Sequence, residues 1–269
     1  MADEHPAMGW RVDIERYDEL KNTETPFNLP MMGDPPEEID PRPYHKVENQ
    51  GNQGSCQGHD ISSCVEHCYH IAANEVKQFS RAHGYYGTQK IDGIRGDQGS
   101  TISGGVKLVS EIGIVTEDVW PYPSGYNPTP PVSWEKIAEL AAPFKIRSHS
   151  VLKGYDDLFN YLASGVGAVT IGTGWGFKPV NGVVEKYSGG SGGHATAVLG
   201  YSKRKDSKGR NYFWLLNSWG EGWGTKGWAE ISPTAMANAL NTNYAVAIGV
   251  SDLSTPTVRP INWSEKPVI

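Results

Sequence analysis

Residues 211–228 read NYFWLLNSWGEGWGTKGW and constrain the fold more than any other stretch. The apolar and aromatic run at 211–216 predicts a buried strand. Asn217 follows directly, and the glycines and tryptophans after it predict a turn before another strand at 227–231. An amide at this position can hold an imidazole in one orientation, with Trp219 covering that hydrogen bond. Asn217 could also be a simple turn residue, so its meaning depends on the rest of the chain.

Two other segments supply groups that complement the amide. Cys56 lies in ENQGNQGSCQGHD, and His194 lies in GGSGGHATAVLGY. A thiol, an imidazole and an amide are the minimal parts of acyl transfer through a thiolate. Taken alone, Cys56 could be a packed core thiol and His194 a satisfied strand histidine. Because all three residues occur together in such contexts, the sequence favours a catalytic triad of Cys56, His194 and Asn217.

The surroundings of Cys56 fit a nucleophile. Cys56 is expected at the start of a helix, where the helix dipole and a nearby imidazolium can lower a thiol pKa to about 3.5–7.5. The glycines before it allow a sharp turn that directs backbone N–H groups at an oxyanion, and Gln50 can add a side-chain donor. The flanks of the nucleophile and the base are expected to bind substrate. These residues are Gly54, Ser55, Gly193, Ala195 and Trp219.

Helical patterns precede strand patterns along the chain, which predicts an α+β fold. Apolar residues spaced three and four apart predict a helix over 56–79, with Cys64 and Cys68 facing the core and Cys56 directed away from it. Further helices are predicted at 101–112, 133–140 and 156–163. Strands are predicted at 166–171, 182–187, 194–201, 211–216, 227–231 and 244–249. The domain prediction is an extended arm (1–45), a mainly helical lobe (46–140), a mainly β lobe (141–250) and a tail (251–269).

Composition narrows the functional classes. The chain has 269 residues, 38% hydrophobic and 20% charged, with a formal net charge of -6. This balance gives no indication of a nucleic-acid or membrane partner, and the basic run at 203–210 is interpreted as a solvated hairpin tip. No apolar run is long enough for a membrane span, and the acidic N-terminus does not resemble a signal peptide. Three cysteines form no disulfide framework, so we expect a cytoplasmic or otherwise reducing compartment.

The two cysteines other than Cys56, with the histidine between them, form a second cysteine group, and a metal site is an alternative interpretation of this group. Cys64, His67 and Cys68 could supply three ligands. Both thiols, however, face the predicted core, and no second ligand pair lies nearby in the sequence. We therefore expect neither a metal nor a cofactor.

These segments resemble those of the papain-like cysteine peptidases. VENQGNQGSCQG is similar to the nucleophile segment of that family, GGHATAVLGY to its histidine segment and NSWGEGWGTKGW to its asparagine segment. The resemblance implies a two-lobed fold with a helical left lobe, an antiparallel β-barrel-like right lobe and a cleft between them. It also implies that Cys56 and His194 form a thiolate–imidazolium pair, that Asn217 orients the imidazole and that Gln50 binds the oxyanion.

The chain departs from the usual pattern of this family at two positions. Gln57 follows the nucleophile where the family usually has tryptophan, and Gln53 replaces its usual upstream cysteine. With Gln53 in place of that cysteine, the chain resembles disulfide-free members of the family from bacteria and their viruses, so the protein could be phage-associated. The first is expected to affect cleft shape and specificity more than the chemistry.

The expected function is hydrolysis of peptide bonds in a peptide or protein substrate through an acyl-enzyme. The alternatives are an acyltransferase or amidase with the same triad, and a structural component of a larger assembly on a peptidase fold. The arm at 1–45 could cross the cleft and inhibit, or wrap the far side and connect the lobes. It shows no amphipathic helical pattern, which favours the far side and allows a role in a protein assembly.

Overall fold

The structure is a computed structural model that describes residues 8–24, 27, 34–190 and 192–251. Its α-helices are α1 (Ile14–Thr23), α2 (Cys56–Ala73), α3 (Thr88–Asp92), α4 (Ile102–Lys107), α5 (Trp134–Ala141), α6 (Gly154–Ala163) and α7 (Pro233–Leu240). Its strands are β1 (Trp10–Arg11), β2 (Ser100–Thr101), β3 (Ser148–Val151), β4 (Ala168–Gly174), β5 (Val183–Val184), β6 (Gly193–Lys205), β7 (Asn211–Leu216), β8 (Trp228–Ile231) and β9 (Val246–Ser251). Beyond Ser251, the predicted tail lies outside the described residues. Within the described ranges, no helix has the length and apolar character required to cross a bilayer.

Helix α2 begins at Cys56, as the sequence predicts, but it ends at Ala73 rather than near Phe79. Asn74 adopts the left-handed conformation, with φ of 55°, and its N–H donates to the carbonyl of His70. This is a common way to terminate a helix. The predicted helix is therefore wrong for 74–79, and Val76 is 54% exposed. Phe79 is still buried, because the chain after the helix returns to pair with Thr116.

The shorter helices follow their sequence signals closely. Ser133 caps α5 by accepting a hydrogen bond from the backbone N–H of Lys136 at 3.3 Å. The predicted helix at 101–112 is α4 followed by a π-helical turn over Leu108–Ile112. It ends at Gly113, whose φ of 96° suits glycine.

Seven strands form one sheet in the order β3-β9-β4-β6-β7-β8-β5. All neighbours pair antiparallel except β5 and β8, which run parallel. The predicted combination of helices and an antiparallel β lobe is confirmed, but the sheet is open and does not close into a barrel. Within the described residues its edge strands β3 and β5 do not pair with each other, and β5 is only two residues long. The basic run does lie at a hairpin tip, between β6 and β7.

Helix α2 packs against β4 and β6. Ile61 and Cys64 of the helix lie in one buried apolar cluster with Leu199 of β6 and Ile248 of β9. Burial of this kind contributes about 25 cal/mol per Å² of apolar surface. It fixes the helix that begins at Cys56 against the strand that carries His194.

The N-terminal arm is not simply extended, which corrects the sequence expectation. It contains β1, which pairs parallel with β2, and the ten-residue helix α1. Helix α1 covers edge strand β3. The Leu20 carbonyl lies 3.1 Å from His149 Nε2, and the Glu24 carboxylate accepts from the backbone N–H of Val151 at 2.7 Å. Asp13 caps α1, a signal that the polar composition of the arm obscured.

Candidate active site

The fold brings His194 and Asn217 into direct contact. His194 lies in β6 and Asn217 directly follows the adjacent β7, and His194 Nε2 is 2.8 Å from Asn217 Oδ1. The same oxygen accepts from the backbone N–H of Ser218 at 2.8 Å. An amide oxygen only accepts, so Nε2 carries the hydrogen and Nδ1 is the basic nitrogen of the neutral ring. The orienting role predicted for Asn217 agrees with this geometry.

Two tryptophans enclose the imidazole of His194. The Trp219 ring centroid lies 4.7 Å from that of His194 at an interplanar angle of 34°. The Trp175 ring also lies 4.7 Å away but meets the imidazole edge-on at 85°. Trp219 was predicted as a cover, whereas Trp175 follows β4 outside every motif and was missed. Together the rings shield the hydrogen bond to Asn217 from water.

Cys56 lies at the start of α2 with 0% of its surface exposed. The backbone N–H of Gly9, in the arm, donates to its Sγ at 3.4 Å, and the backbone of Ala195 also hydrogen-bonds the thiol. Ala195 follows His194 in β6, so Cys56 contacts the strand that carries His194. His194 Nδ1 is buried and has no hydrogen-bond partner among the described residues.

Burial sets the protonation of this pair while the arm is in place. It raises the pKa of Cys56 to about 11, against the opposing effect of backbone hydrogen bonds from Ala195 and Gly9. It lowers the pKa of His194 to about 4, although the hydrogen bond to Asn217 opposes the shift. The closed arrangement therefore favours a neutral thiol and a neutral imidazole rather than the expected ion pair. The cause is exclusion of water, which penalises both charged forms.

Gln50 is buried and held at both ends of its side-chain amide. Its Oε1 accepts from Ser218 Oγ at 2.6 Å, and its Nε2 donates to the carbonyl of Gln53 at 2.8 Å. These contacts fix Nε2 as the donor end, as an oxyanion site requires. Tyr122 supports the same loop, since its hydroxyl lies 2.6 Å from Ser55 Oγ and donates to the Gln50 carbonyl at 3.0 Å. Sequence reasoning did not identify Ser218, which lies within the quoted stretch 211–228, or Tyr122, which lies outside every quoted segment.

The arm contacts the predicted substrate-binding residues. Gly9 lies against the carbonyl of Gly54, and Trp10 lies against Gly193. The backbone N–H of Ser100 donates to the Gly9 carbonyl at 2.9 Å. The preferred position of the arm on the far side is therefore wrong. The arm crosses the cleft, because strand β2 presents an edge with which it can pair.

One ion pair anchors α1 beside the cleft. The Arg16 guanidinium contacts the buried carboxylate of Asp92. Asp92 also accepts from the backbone N–H of Thr101 at 2.8 Å and from its hydroxyl at 2.9 Å. Gln57, at the position where tryptophan was expected, accepts from the Ser100 hydroxyl at 2.9 Å. These contacts link the arm and the nucleophile helix to β2.

The second cysteine group is structural. Cys64 donates to Asp60 at 3.7 Å, Cys68 donates to the Val250 carbonyl at 3.2 Å, and His67 Nδ1 lies 3.1 Å from His45 Nε2. No group of three or more histidine, cysteine or acidic side chains in the described part of the chain is arranged to hold a metal ion. None of the three cysteines, all of which lie in the described residues, is in a disulfide bond.

Comparison with known proteins agrees with this geometry. The family model of the papain family cysteine proteases matches residues 35–248. The chain belongs to the papain family of cysteine proteases. Members of this family are hydrolases. The matched region contains Cys56, His194 and Asn217.

Solved structures share the fold at low sequence identity. Xylellain, a cysteine protease from Xylella fastidiosa, superposes with a TM-score of 0.74 at 21% identity and covers 94% of this chain and 100% of its own. Digestive procathepsin L 3 of Tenebrio molitor larval midgut gives a TM-score of 0.67 at 19% identity, covering 87% of this chain and 78% of its own. The Carica candamarcensis cysteine protease CMS1MS2, in complex with E-64, gives 0.61 at 20% identity, covering 80% and 98%. A search of curated protein sequences found no significant match.

Proposed function

We propose that this papain-family protein hydrolyses peptide bonds with Cys56 as nucleophile and His194 as base and acid. The thiol gives its proton to His194 Nδ1, and Sγ attacks the carbonyl carbon of the substrate. The Gln50 amide and the backbone N–H of Cys56 stabilise the resulting oxyanion. His194 then protonates the leaving amine. The acyl–sulfur bond that remains is cleaved by water, from which His194 takes a proton.

The observation that carries this proposal is the 2.8 Å contact between His194 Nε2 and Asn217 Oδ1. It assigns the hydrogen to Nε2 and makes Nδ1 the nitrogen that can exchange a proton with Cys56. The next residue, Ala195, hydrogen-bonds the Cys56 thiol through its backbone, so the oriented imidazole is adjacent in sequence to a residue that contacts a helix-initial thiol.

The arm has to leave the cleft before a protein or peptide can bind. Cys56 has no exposed surface, and the Gly9 N–H occupies the approach to its sulfur. Departure of the arm would also readmit water, so the desolvation that keeps both groups neutral would fall. The thiolate–imidazolium pair is therefore proposed for the open cleft.

The test compares two thiols of the same helix. In a Trp10→Ala background, chosen to loosen the arm, Cys56→Ala is expected to lower kcat/KM on a peptide library by about 10⁴-fold or more. Cys64→Ala is the matched control and should keep kcat/KM within about threefold while lowering stability by about 1 kcal/mol. Mass spectrometry of the products identifies the cleaved bonds. More than a few per cent of activity in Cys56→Ala would contradict the nucleophile assignment, and a marked rate increase with an added amine would favour acyl transfer.

A further inference from the structure

The loop that leads into helix α2 is held by an acidic side chain outside the triad. Asp97 lies between α3 and β2, and its Oδ1 accepts from the backbone N–H of Gly54 at 2.8 Å. Gly54 is two residues before Cys56. The carboxylate therefore contacts the short segment that connects Gln50, the proposed oxyanion donor, to the proposed nucleophile.

The peptide group between Gln53 and Gly54 is hydrogen-bonded at both of its ends. Its N–H donates to Asp97, and its carbonyl accepts from Gln50 Nε2 at 2.8 Å. Because a peptide group is planar, the directions of its N–H and its carbonyl cannot change independently. A side chain that fixes the N–H therefore also fixes the carbonyl to which Gln50 binds.

Tyr85 fixes the carboxylate of Asp97 in turn. Its hydroxyl donates to the same Oδ1 at 2.7 Å, and it accepts from Gln89 Nε2 at 3.1 Å and from the backbone N–H of Gly99 at 3.2 Å. Burial, with a further contribution from Asp97, raises the pKa of Tyr85. The hydroxyl therefore keeps its proton and remains a donor to the carboxylate.

The side chain of Gln53 is anchored separately from its peptide group. Its Oε1 accepts from the Tyr86 hydroxyl at 2.7 Å, and its Nε2 donates to the Pro123 carbonyl at 2.9 Å. Neither contact involves the peptide group that follows Gln53. The direction of that group is set from the opposite side, by the contact between Gly54 and Asp97.

We propose that Asp97 is a positioning residue of the oxyanion site. It orients the peptide group between Gln53 and Gly54, and the carbonyl of that group holds the Gln50 amide. An amide nitrogen carries two hydrogens, of which the carbonyl takes one, and in the proposed reaction the other donates to the oxyanion. Asp97 thus acts on the transition state through a preorganised donor rather than by touching the substrate. This inference rests on the proposed peptidase function and deepens it.

The first experiment removes and then restores the acceptor, with Trp10→Ala present throughout to loosen the arm. Asp97→Ala should lower kcat about tenfold and keep KM within about twofold, because the lost orientation matters only in the transition state. Asp97→Asn keeps an oxygen that can accept from Gly54 and should hold kcat within about threefold. Asp156→Ala is the matched control, since Asp156 is an exposed carboxylate on α6. Equal kcat in Asp97→Ala and Asp156→Ala would overturn the proposal.

The second experiment asks whether Asp97 acts through Gln50. Gln50→Ala is expected to lower kcat about 100-fold, the usual effect of losing one oxyanion donor. Once Gln50 is absent, adding Asp97→Ala should lower kcat by no more than about twofold, because the two changes affect one interaction. A further tenfold loss in the double variant would show that Asp97 acts independently of Gln50 and would contradict the inference.

A measurement without substrate separates positioning from chemistry. Hydrogen exchange of the Gln50 side-chain amide, followed by NMR and assigned by its disappearance in Gln50→Ala, should be about tenfold faster in Asp97→Ala than in Asp97→Asn. If this difference appears but no variant cleaves a peptide, the positioning inference stands and the peptidase proposal fails. If peptides are cleaved and the exchange rates are equal, the positioning inference fails and the peptidase proposal stands.

Discussion

Helix α2 contributes to two buried polar clusters that respond to burial in opposite ways. At its start, Cys56 and His194 are both shifted toward their neutral forms. Further along, Glu66 is also fully buried, and burial by itself raises its pKa. The Arg81 guanidinium and the contact with His45 together outweigh that effect, so the net pKa of Glu66 is lowered. The comparison shows that burial alone does not decide whether a side chain is charged, because the charge of its partner decides the outcome.

The two clusters differ in the permanence of the partner charge. Arg81 stays protonated at any relevant pH and donates to both Glu66 oxygens, at 2.5 and 3.1 Å. Cys56 and His194 can instead exchange one proton and become neutral together. The Glu66–Arg81 pair is therefore fixed and structural, whereas the proposed catalytic pair of Cys56 and His194 is expected to change state when the arm leaves the cleft.

The largest effect should come from breaking the fixed pair. Arg81→Met leaves the buried Glu66 carboxylate without its counter-charge, which is expected to cost about 3–5 kcal/mol of unfolding free energy. Urea denaturation measures the loss. The double variant Glu66→Gln, Arg81→Met should recover part of it, because no unpaired charge remains. A loss below about 1 kcal/mol in Arg81→Met would show that this pair is not the electrostatic anchor of α2.

A smaller effect is expected from the orienting residue at the catalytic end. Asn217→Ala frees the imidazole to rotate and removes the contact that fixes its tautomer. The expected loss in kcat is about 100-fold with little change in KM, as for other misplacements of catalytic groups. Steady-state kinetics in the Trp10→Ala background measures both parameters. A loss confined to KM would mean that Asn217 contacts substrate rather than orienting His194.

The candidate catalytic residues could be proposed from sequence because their signals are local. Each triad residue lies in a short segment whose glycines, aromatic residues or helix start restrict the backbone, so Cys56, His194, Asn217 and Gln50 were all named. Trp175 was missed, because it reaches His194 only through the pairing of β4 with β6. No feature of its own segment points toward the imidazole.

The position of the arm and the open form of the sheet could not be predicted, because both depend on contacts between distant parts of the chain. Trp10 is buried by Gly172 and Gly193, and Arg16 is paired with Asp92, but none of these partners lies nearby in the sequence. The polar composition of the arm reflects its solvent-facing side. It gave no indication that the one indole of the arm, that of Trp10, enters the cleft. Strands β4 to β9 were predicted close to their observed positions, whereas β1 to β3 were not predicted. The open form of the sheet follows from the pairing order of its strands.

Weakening the arm should produce a moderate gain of activity. Arg16→Ala removes the ion pair with Asp92, a partly buried charge-assisted contact worth about 1–2 kcal/mol. The open fraction, and with it kcat/KM, should rise about tenfold, since 1.4 kcal/mol is a factor of ten. Lys21→Ala is the matched control, because Lys21 lies on the same helix and contacts two residues of that helix, exposed Asp18 at 2.7 Å and the ring centroid of Tyr17 at 4.6 Å. Equal activity in Arg16→Ala and Lys21→Ala would contradict inhibition by the arm.

The smallest effect concerns the pH at which Cys56 reacts. Its measurement tests whether burial or the partner determines the protonation of Cys56. In the closed arrangement burial raises the thiol pKa to about 11, so the thiolate forms only at alkaline pH. Iodoacetamide labelling of the full-length chain should therefore keep rising above about pH 8. In Arg16→Ala the cleft is open more often, the desolvation penalty falls and the imidazolium can stabilise the thiolate. Labelling should then approach its plateau at about pH 6–7.

Peptide mapping restricts the signal to Cys56, and Lys21→Ala again serves as the control. Identical midpoints in Arg16→Ala and the unaltered chain would mean that the arm does not set the protonation of the catalytic pair. In that case His194 would determine the protonation state of Cys56 even while the arm covers the cleft, as Arg81 helps to determine that of Glu66.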